Sequence, residues 1–140
     1  MGVFSSDKEL YDIMGTFMQG ASSHPEMGPK IRDSRIVVRF EYSDPEATIT
    51  VDAKNPDEGK YFRVLFGPSD LKADVVMTMS ADIAHRFWLG KVNLTAALTR
   101  GQMKAVGPIS QIMKLLPAIK PAYSIYPEHL KALGRADLIL

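Results

Sequence analysis

The sequence predicts an α/β fold in which a mixed sheet of about five strands is covered on one face by helices. Three segments between residues 35 and 66 alternate apolar and polar side chains, and short turns separate them. Residues 74–107 then have the pattern of a strand, two short helices and a second strand. Because 140 residues are enough for one hydrophobic core, we expect a single domain over residues 1–140.

An amphipathic helix is predicted near the N-terminus. Ser6 and Glu9 have the spacing of a capping box, in which side chains accept hydrogen bonds from free backbone N–H groups. The apolar stripe that follows comprises Leu10, Ile13, Met14, Phe17, Met18 and Ala21. Core packing is the favoured role of this stripe, and lining a ligand space is the alternative. Residues 22–33 contain two prolines and a glycine, which predicts a connector with at most one turn of helix.

Three strands are predicted at residues 35–42, 47–52 and 61–66. Turn signals between them favour antiparallel pairing, with one apolar and one polar face. The apolar positions are Ile36, Val38, Phe40, Tyr42, Ala47, Ile49, Val51, Phe62, Val64 and Phe66.

The unit at residues 74–107 follows. Ser80 is a good N-cap for its first helix, which Gly90 ends, and Asn93 caps a second helix that ends at Gly101. We interpret the unit as a crossover whose two strands lie in one sheet under a helical cover. Its apolar positions are Val75, Met77, Met79, Ile83, Ala84, Phe87, Trp88, Leu94, Ala97, Leu98, Met103 and Ala105.

A further helix is predicted after Pro108, with Ile109, Ile112, Met113 and Leu116 as its apolar stripe. Prolines at positions 117, 121 and 127 are expected to cut the tail, residues 117–140, into short pieces. We expect the helix at Ile109–Leu116 to close a ligand space and the tail to gate or extend that space. The two alternatives for the tail are a structural clasp and a dimer contact made by Tyr123, Ile125 and Leu130.

The sequence offers little catalytic or metal-binding chemistry. It has no cysteine, and His24, His85 and His129 have no metal-ligand spacing. His85 is expected to be a solvated side chain. No nucleophile elbow, phosphate-binding loop or dinucleotide fingerprint is present. We therefore expect no catalytic residues, no metal and no cofactor, and a protein that is not an enzyme. Catalysis by Tyr123, Tyr126 or His129 is the least favoured alternative.

The central unit resembles the sterol carrier protein 2 family, the sterol-binding or non-specific lipid-transfer domain. The pattern that carries the resemblance is Asp74-Val75, Met77-Thr78-Met79-Ser80, Gly90-Lys91, Gly101 and Gly107. A weaker likeness extends from Ser34 to Leu116. The resemblance implies strand order 3-2-1-4-5 and an apolar tunnel between the sheet and the helices. It also implies that the C-terminal helix lies over this tunnel.

The tunnel implied by the resemblance would be lined by apolar residues predicted to point inward. They are Val38, Phe40, Val51, Phe62, Val64, Phe66, Met77, Met79, Ile83, Phe87, Trp88, Leu98, Met103, Ile109, Ile112, Met113 and Leu116. Eight methionines favour a cavity that adapts to ligands of varied outline. Each single methionine is also consistent with ordinary core packing.

We expect a lipid carrier that binds a sterol, fatty acid, acyl-CoA or phospholipid without changing it, as a monomer or weak dimer. The alternative is an accessory subunit that presents such a ligand to a partner enzyme. Residues 1–70 contain 12 acidic and 8 basic side chains, and residues 71–140 contain 4 and 9. The favoured interpretation of the basic half is a solvated surface of ordinary lysines, and transient contact with an anionic membrane is the alternative. Nucleic acid is not an expected partner.

A cytoplasmic location is expected from the sequence. The N-terminus lacks the basic and apolar regions of a secretory signal, and no apolar run is long enough to span a membrane. The absence of cysteine agrees with an intracellular protein.

Overall fold

A computed structural model describes residues 2–140, except for the side chain of Ile109. Its sheet consists of β1 (Val37–Ser43), β2 (Ala47–Asp52), β3 (Arg63–Phe66), β4 (Val75–Ser80) and β5 (Met103–Val106). The strand order is β3-β2-β1-β4-β5. Strands β1 and β4 are parallel, and the other neighbours are antiparallel. The predicted mixed sheet and its order are confirmed.

One face of the sheet, called the inner face here, is apolar and packs under the helices. The register pairs Val38 with Val75, Phe40 with Met77 and Tyr42 with Met79 across β1 and β4. Since side chains alternate along a strand, these pairs form continuous rows on the same face. The alternation in the sequence therefore indicated the inner face correctly.

The opposite, outer face of the sheet carries ion pairs. The buried carboxylate of Asp52 accepts a hydrogen bond from Arg63 Nη2 at 2.8 Å. Burial alone would raise the pKa of Asp52, but the hydrogen bonds from Arg63 and Asn55 outweigh it and hold the pKa below its usual range. Arg39, also on this face, donates to the carbonyls of Ser69 and Leu71. These bonds hold the segment before β4 against the outer face.

The N-terminal helix is continuous but not uniform. Segment α1 (Asp7–Leu10) passes into a π-helical segment (Tyr11–Gly15) and then into α2 (Thr16–Ala21). The predicted cap is present, because Ser6 Oγ accepts from the Glu9 N–H at 3.1 Å. Glu9 Oε1 in turn accepts from the Ser5 N–H at 2.9 Å. The apolar stripe on this helix is buried as predicted.

Helix α3 (Gly28–Ser34) forms where the sequence predicted a connector with at most one turn. Pro29 lies in its first turn, where the missing N–H costs nothing. The Tyr61 ring packs directly on Gly28, in the space that any Cβ at this position would occupy. The glycine and proline, which suggested a loop, therefore start this helix and allow it to pack closely.

The central unit has the predicted elements. Ser80 caps α4 (Ala81–Trp88) and Asn93 caps α5 (Leu94–Thr99), each by accepting a backbone N–H with its side-chain oxygen. Strands β4 and β5 lie side by side in one sheet, as predicted, but they are antiparallel. The two helices are thus a return connection on the inner face rather than a crossover between parallel strands.

The C-terminal part forms α6 (Ile109–Ile119), α7 (Ala122–Ala132) and a 3-10 helix (Ala136–Leu138). Pro121 separates α6 from α7 as predicted, but Pro117 and Pro127 lie inside helices and do not end them. A helical proline leaves the carbonyl four residues earlier without its donor. For Pro117 that carbonyl belongs to Met113, whose residue is 38% exposed, so water can replace the lost bond.

Helix α7 belongs to the core. Ala122, Tyr126 and Leu130 on one face of it are fully buried. This packing supports the clasp among the three roles considered for the tail. It also removes Leu130 from any dimer contact. Within residues 2–140, none of the helices is long and apolar enough to cross a membrane.

Candidate functional site

Two apolar cavities lie between the inner face and the helices. The first cavity has a volume of about 50 Å³. It is bounded by α2, α3, α6 and the start of the sheet. Its lining residues are Phe17, Met18, Ala21, Met27, Ile31, Ser34, Ile36, Val38, Phe40, Val51, Phe62, Trp88, Leu115 and Ile119.

The second cavity has the same volume, about 50 Å³. It lies over β1, β4 and β5, beneath α4 and α6. Its lining residues are Val38, Phe40, Tyr42, Met77, Met79, Ala84, Phe87, Trp88, Leu94, Met103, Ile112, Leu115 and Ile119.

The two cavities share a wall of five residues: Val38, Phe40, Trp88, Leu115 and Ile119. In it the Phe40 and Trp88 rings meet edge to face, with centroids 6.4 Å apart. On the side of the first cavity, the Phe17 ring lies 5.4 Å from Trp88. These rings therefore separate two adjoining parts of one apolar region beneath the helices.

The chemistry of this space is almost entirely that of hydrocarbon and thioether groups. Tyr42, in the lining of the second cavity, has a buried hydroxyl with no hydrogen-bond partner among the described residues. Burial raises the pKa of Tyr42, so this hydroxyl is a neutral group. Among residues 2–140, no group of three or more carboxylate or histidine side chains is placed to hold a metal ion.

Helix α6 covers both cavities. Ile112, Leu115 and Ile119 on its inner side contribute to their linings. No side chain caps its N-terminus, and Pro117 removes one backbone donor near its end. Both features reduce the hydrogen bonding that holds the helix in place.

An open groove flanks α6 on each side. The α7-side groove, of about 720 Å³, is lined by Gly90, Lys91, Val92, Asn93, Leu94, Thr95, Leu116, Pro117, Lys120 and Tyr123. The α3-side groove, of about 320 Å³, is lined by Lys30, Asp33, Ser34, Ile36, Gln111, Lys114 and Leu115.

His85 is fully buried, which corrects the expectation of a solvated side chain. Its Nδ1 lies 2.7 Å from the Tyr126 hydroxyl, and its Nε2 lies 2.8 Å from the Leu138 carbonyl oxygen. Because a carbonyl only accepts, Nε2 carries the proton and Nδ1 accepts from Tyr126. Burial lowers the pKa of His85 and keeps it neutral. The sequence missed this because both partners are distant along the chain.

His129 is half-buried between α7 and the N-terminal helix. Its Nε2 lies 2.9 Å from Thr16 Oγ1 and 3.1 Å from the Ile13 carbonyl oxygen. Burial also lowers the pKa of His129. The Phe17 ring contacts the rings of both His129 and Tyr126. His129 and Tyr126 therefore hold α7 in place, while Tyr123 lies apart in the α7-side groove.

The structure brings together part of the predicted lining set. Val38, Phe40, Val51, Phe62, Met77, Met79, Phe87, Trp88, Met103 and Ile112 line one or both cavities. Val64, Phe66, Ile83, Leu98, Met113 and Leu116 do not line either of them. Phe66 is 40% exposed and stacks on Tyr11 instead. The side chain of Ile109 lies outside the described part of the chain.

Several lining residues were not in the predicted set. On α6, Leu115 and not Leu116 lines the cavities. The stripe that faces inward consists of Ile112, Leu115 and Ile119, at spacings of three and four residues. Around α3, Met27, Ile31 and Ser34 line the first cavity at spacings of four and three. That helical spacing is visible in the sequence and was hidden by the expectation of a connector.

A known protein family and several solved structures share this architecture. The model of the SCP-2 sterol transfer family matches residues 17–120, which include the residues that line both cavities. No curated protein sequence matches the chain.

Three solved structures illustrate the likeness. The sterol carrier protein domain 2 of Helicoverpa armigera is 23% identical with a TM-score of 0.67, over 89% of this chain and 95% of that one. The apo form of sterol carrier protein 2 from Yarrowia lipolytica is 18% identical with a TM-score of 0.60, over 84% and 91%. A UbiJ-SCP2 ubiquinone synthesis protein is 18% identical with a TM-score of 0.56, over 83% and 89%. At these identities the likeness establishes the fold.

Proposed function

We propose that the chain, which belongs to the SCP-2 sterol transfer family, holds one lipid molecule in the space between the inner face of the sheet and α6 and does not change it chemically. Membership of this family implies lipid binding or transfer. A sterol, a fatty acid, an acyl-CoA and a phospholipid all have a hydrophobic part suited to this space. We further propose that residues 1–140 act as one lipid-binding domain, with the tail as a clasp.

The observation that carries this proposal is the pair of adjoining apolar cavities. Their linings consist of aliphatic, aromatic and methionine side chains, with few polar atoms. Burying one methylene group is worth about 0.8 kcal/mol, so a palmitoyl chain gains about 12 kcal/mol before entropic costs. Useful affinity therefore needs no catalytic group and little polar recognition.

The cavities are too small for such a ligand as they stand. Each holds about 50 Å³, whereas pockets for small molecules usually measure about 300 Å³ or more. We propose that binding displaces α6 and rearranges the wall at Trp88 and Phe40, which joins the two cavities into a tunnel. The missing cap and Pro117 lower the cost of displacing α6. The methionines adapt their shape to the ligand.

A second candidate function is that of an accessory subunit that presents its lipid to an enzyme. The similarity to a UbiJ-SCP2 ubiquinone synthesis protein supports this second candidate, because that protein has the same fold. In this case the ligand would be the same and the difference would lie in a stable protein partner.

Trp88 provides the test, because it lines both cavities and is the single tryptophan. We expect its emission to shift as palmitate or cholesterol is titrated into the full chain. Native mass spectrometry of protein purified from its own cells should show a lipid adduct. Unchanged emission at saturating concentrations of both probes, with no adduct, would contradict lipid binding. A stoichiometric protein partner that is lost when the lipid is removed would favour the accessory subunit over the free carrier.

A further inference from the structure

The α7-side groove differs in composition from the cavities beside it. One of its walls is formed by residues 90–95, and the other by Leu116, Pro117, Lys120 and Tyr123. Leu94, Val92 and Leu116 give it an apolar floor, while two lysines and the polar side chains of Asn93 and Thr95 lie along it. A groove with apolar and cationic parts suits a ligand that has a hydrocarbon part and a negative charge.

The charge in this groove is uncompensated. Lys91 and Lys120 are exposed, and no acidic side chain is among the lining residues. Within residues 2–140 neither lysine forms an ion pair. The α3-side groove is different, because Asp33 lies among its lysines. Of the two grooves beside α6, the α7-side groove is therefore the one that favours an anion.

The groove adjoins the second cavity. Leu94 lines both of them, so one side chain separates the groove from the apolar interior. On α6 the neighbouring residues Leu115 and Leu116 face the cavity and the groove respectively. A hydrocarbon chain that leaves the second cavity past Leu94 would enter the groove between the wall with Lys91 and the wall with Lys120.

Gly90 lets the Tyr123 ring pack closely against the main chain in the lining of the groove. Gly90 has φ +77°, and a Cβ there would lie 3.1 Å from the Tyr123 ring. Glycine accepts this conformation without strain and lets the ring rest against the main chain. Any larger residue would push Tyr123 outward and change the wall that carries Lys120.

We propose that the α7-side groove binds the anionic end, a carboxylate or a phosphate, of a single-chain lipid whose hydrocarbon tail enters the proposed tunnel through the second cavity. This rests on the proposed function and narrows its ligand class to fatty acids and acyl esters with charged head groups. Lys91 and Lys120 supply the attraction to the anion. Because both are exposed to solvent, the attraction weakens as salt is added.

The experiment compares palmitate with 1-hexadecanol, which has the same chain length and no charge. The two ligands are titrated into the full chain at low ionic strength, with Trp88 emission as the signal. The test variant is Lys91→Gln/Lys120→Gln. The matched control is Lys72→Gln/Lys104→Gln, which removes the same charge from two exposed lysines outside both grooves.

We expect the test variant to weaken palmitate binding by about tenfold and to leave 1-hexadecanol binding unchanged. In the wild-type chain, raising the ionic strength to about 0.15 M should weaken palmitate binding selectively. The control should behave like the wild type. Lys91→Arg/Lys120→Arg should keep palmitate affinity, which shows that charge and not a change in folding is responsible.

The proposal is overturned if the test variant and the control bind palmitate equally well, while lipid binding itself stands. It is also overturned if the test variant loses binding to vesicles of phosphatidylcholine and phosphatidylserine but keeps its palmitate affinity, since the lysines would then serve a membrane surface. If neither palmitate nor 1-hexadecanol binds the wild-type chain, both this inference and the proposed function fail.

Discussion

The two cavities have equal volumes but different walls. The second cavity is built largely on strands β1, β4 and β5, and three methionines, Met77, Met79 and Met103, belong to it. The first cavity is built largely on α2 and α3 and contains two methionines, Met18 and Met27, while each cavity has two aromatic rings that the other lacks. A methionine side chain changes shape at little cost, while an aromatic ring is rigid. The second cavity is therefore the more adaptable end of the proposed tunnel.

This difference assigns separate tasks to the two ends. A ligand of variable outline is better accommodated by the second cavity, next to the α7-side groove. The first cavity, enclosed by α2 and α3 and lined by fewer methionines, suits the uniform end of a hydrocarbon chain. The Trp88 and Phe40 rings lie between the two cavities and form the barrier between the ends of the proposed tunnel.

Removing the wall has the largest expected effect on this comparison. Trp88→Ala should destabilise the fold by about 3–5 kcal/mol, because a large buried ring is lost and a void remains. It should also join the two cavities, so that longer acyl chains bind with less penalty. Urea unfolding followed by circular dichroism measures the first effect, and native mass spectrometry with fatty acids of increasing length measures the second.

Phe87→Ala is the matched control, because Phe87 is buried to a similar degree but lines only the second cavity. We expect a comparable loss of stability without the change in preferred chain length. If the two variants select the same chain lengths, Trp88 is not the barrier between the cavities.

Acid should weaken the packing of α7, with a smaller effect than the loss of Trp88. Fully buried His85 on α4 accepts a hydrogen bond from Tyr126 of α7, and half-buried His129 on α7 contacts Phe17 in the lining of the first cavity. Burial lowers the pKa of both, so the unfolded chain takes up their protons more readily than the folded one. The stability that the two neutral histidines contribute is therefore complete above about pH 6.5 and is lost as the pH falls below that value.

Urea unfolding at about pH 7.5 and about pH 5 measures this loss in the wild type, His85→Gln and His129→Gln. The variant at position 85 should show the weaker dependence on pH, because the more deeply buried histidine contributes more of it. An equal dependence in both variants would indicate that the half-buried site of His129 is as sensitive to acid as the fully buried site of His85.

Exchange of methionine for leucine should give the smallest effect on stability. Met77→Leu/Met79→Leu stiffens the second cavity, and Met18→Leu/Met27→Leu does the same in the first. Each exchange nearly conserves volume and should cost less than about 1.5 kcal/mol. With Trp88 emission as the signal, the pair in the second cavity should narrow the range of fatty acids bound, while the pair in the first should alter it little. Unfolding of Met77→Leu/Met79→Leu would identify these residues as tightly packed core.

The sequence predicted the sheet better than it predicted the helices that cover its inner face. Strand alternation placed Val38, Phe40, Met77 and Met79 correctly, because the period of two leaves one apolar face to bury. It also placed Phe66 on that face, where the end of β3 is too near the edge of the sheet for full burial. Alternation gives the face of a residue but not its depth under the cover.

The cover was harder to predict because the contacts that fix it are distant in the sequence. Gly28 suggested a loop, and only the Tyr61 ring packed on it shows why a glycine is needed inside this short helix. The buried site of His85 depends on Tyr126 and Leu138, more than forty residues away. The stripe on α6 was assigned to Leu116 instead of Leu115, because both leucines follow Ile112 at helical spacing and Ile119, which continues the true stripe, lies beyond the break predicted at Pro117.

The distribution of methionine has a consequence for oxidation. Met113, on the outside of α6, is 38% exposed, and the other described methionines are at most 6% exposed. Oxidants convert exposed methionine to the sulfoxide first, so Met113 reacts while the fold is closed. In contrast, a sulfoxide at Met77, Met79 or Met103 would place a polar oxygen inside the second cavity. Oxidation inside the second cavity should therefore weaken the proposed lipid binding, whereas oxidation of Met113 should leave it unchanged.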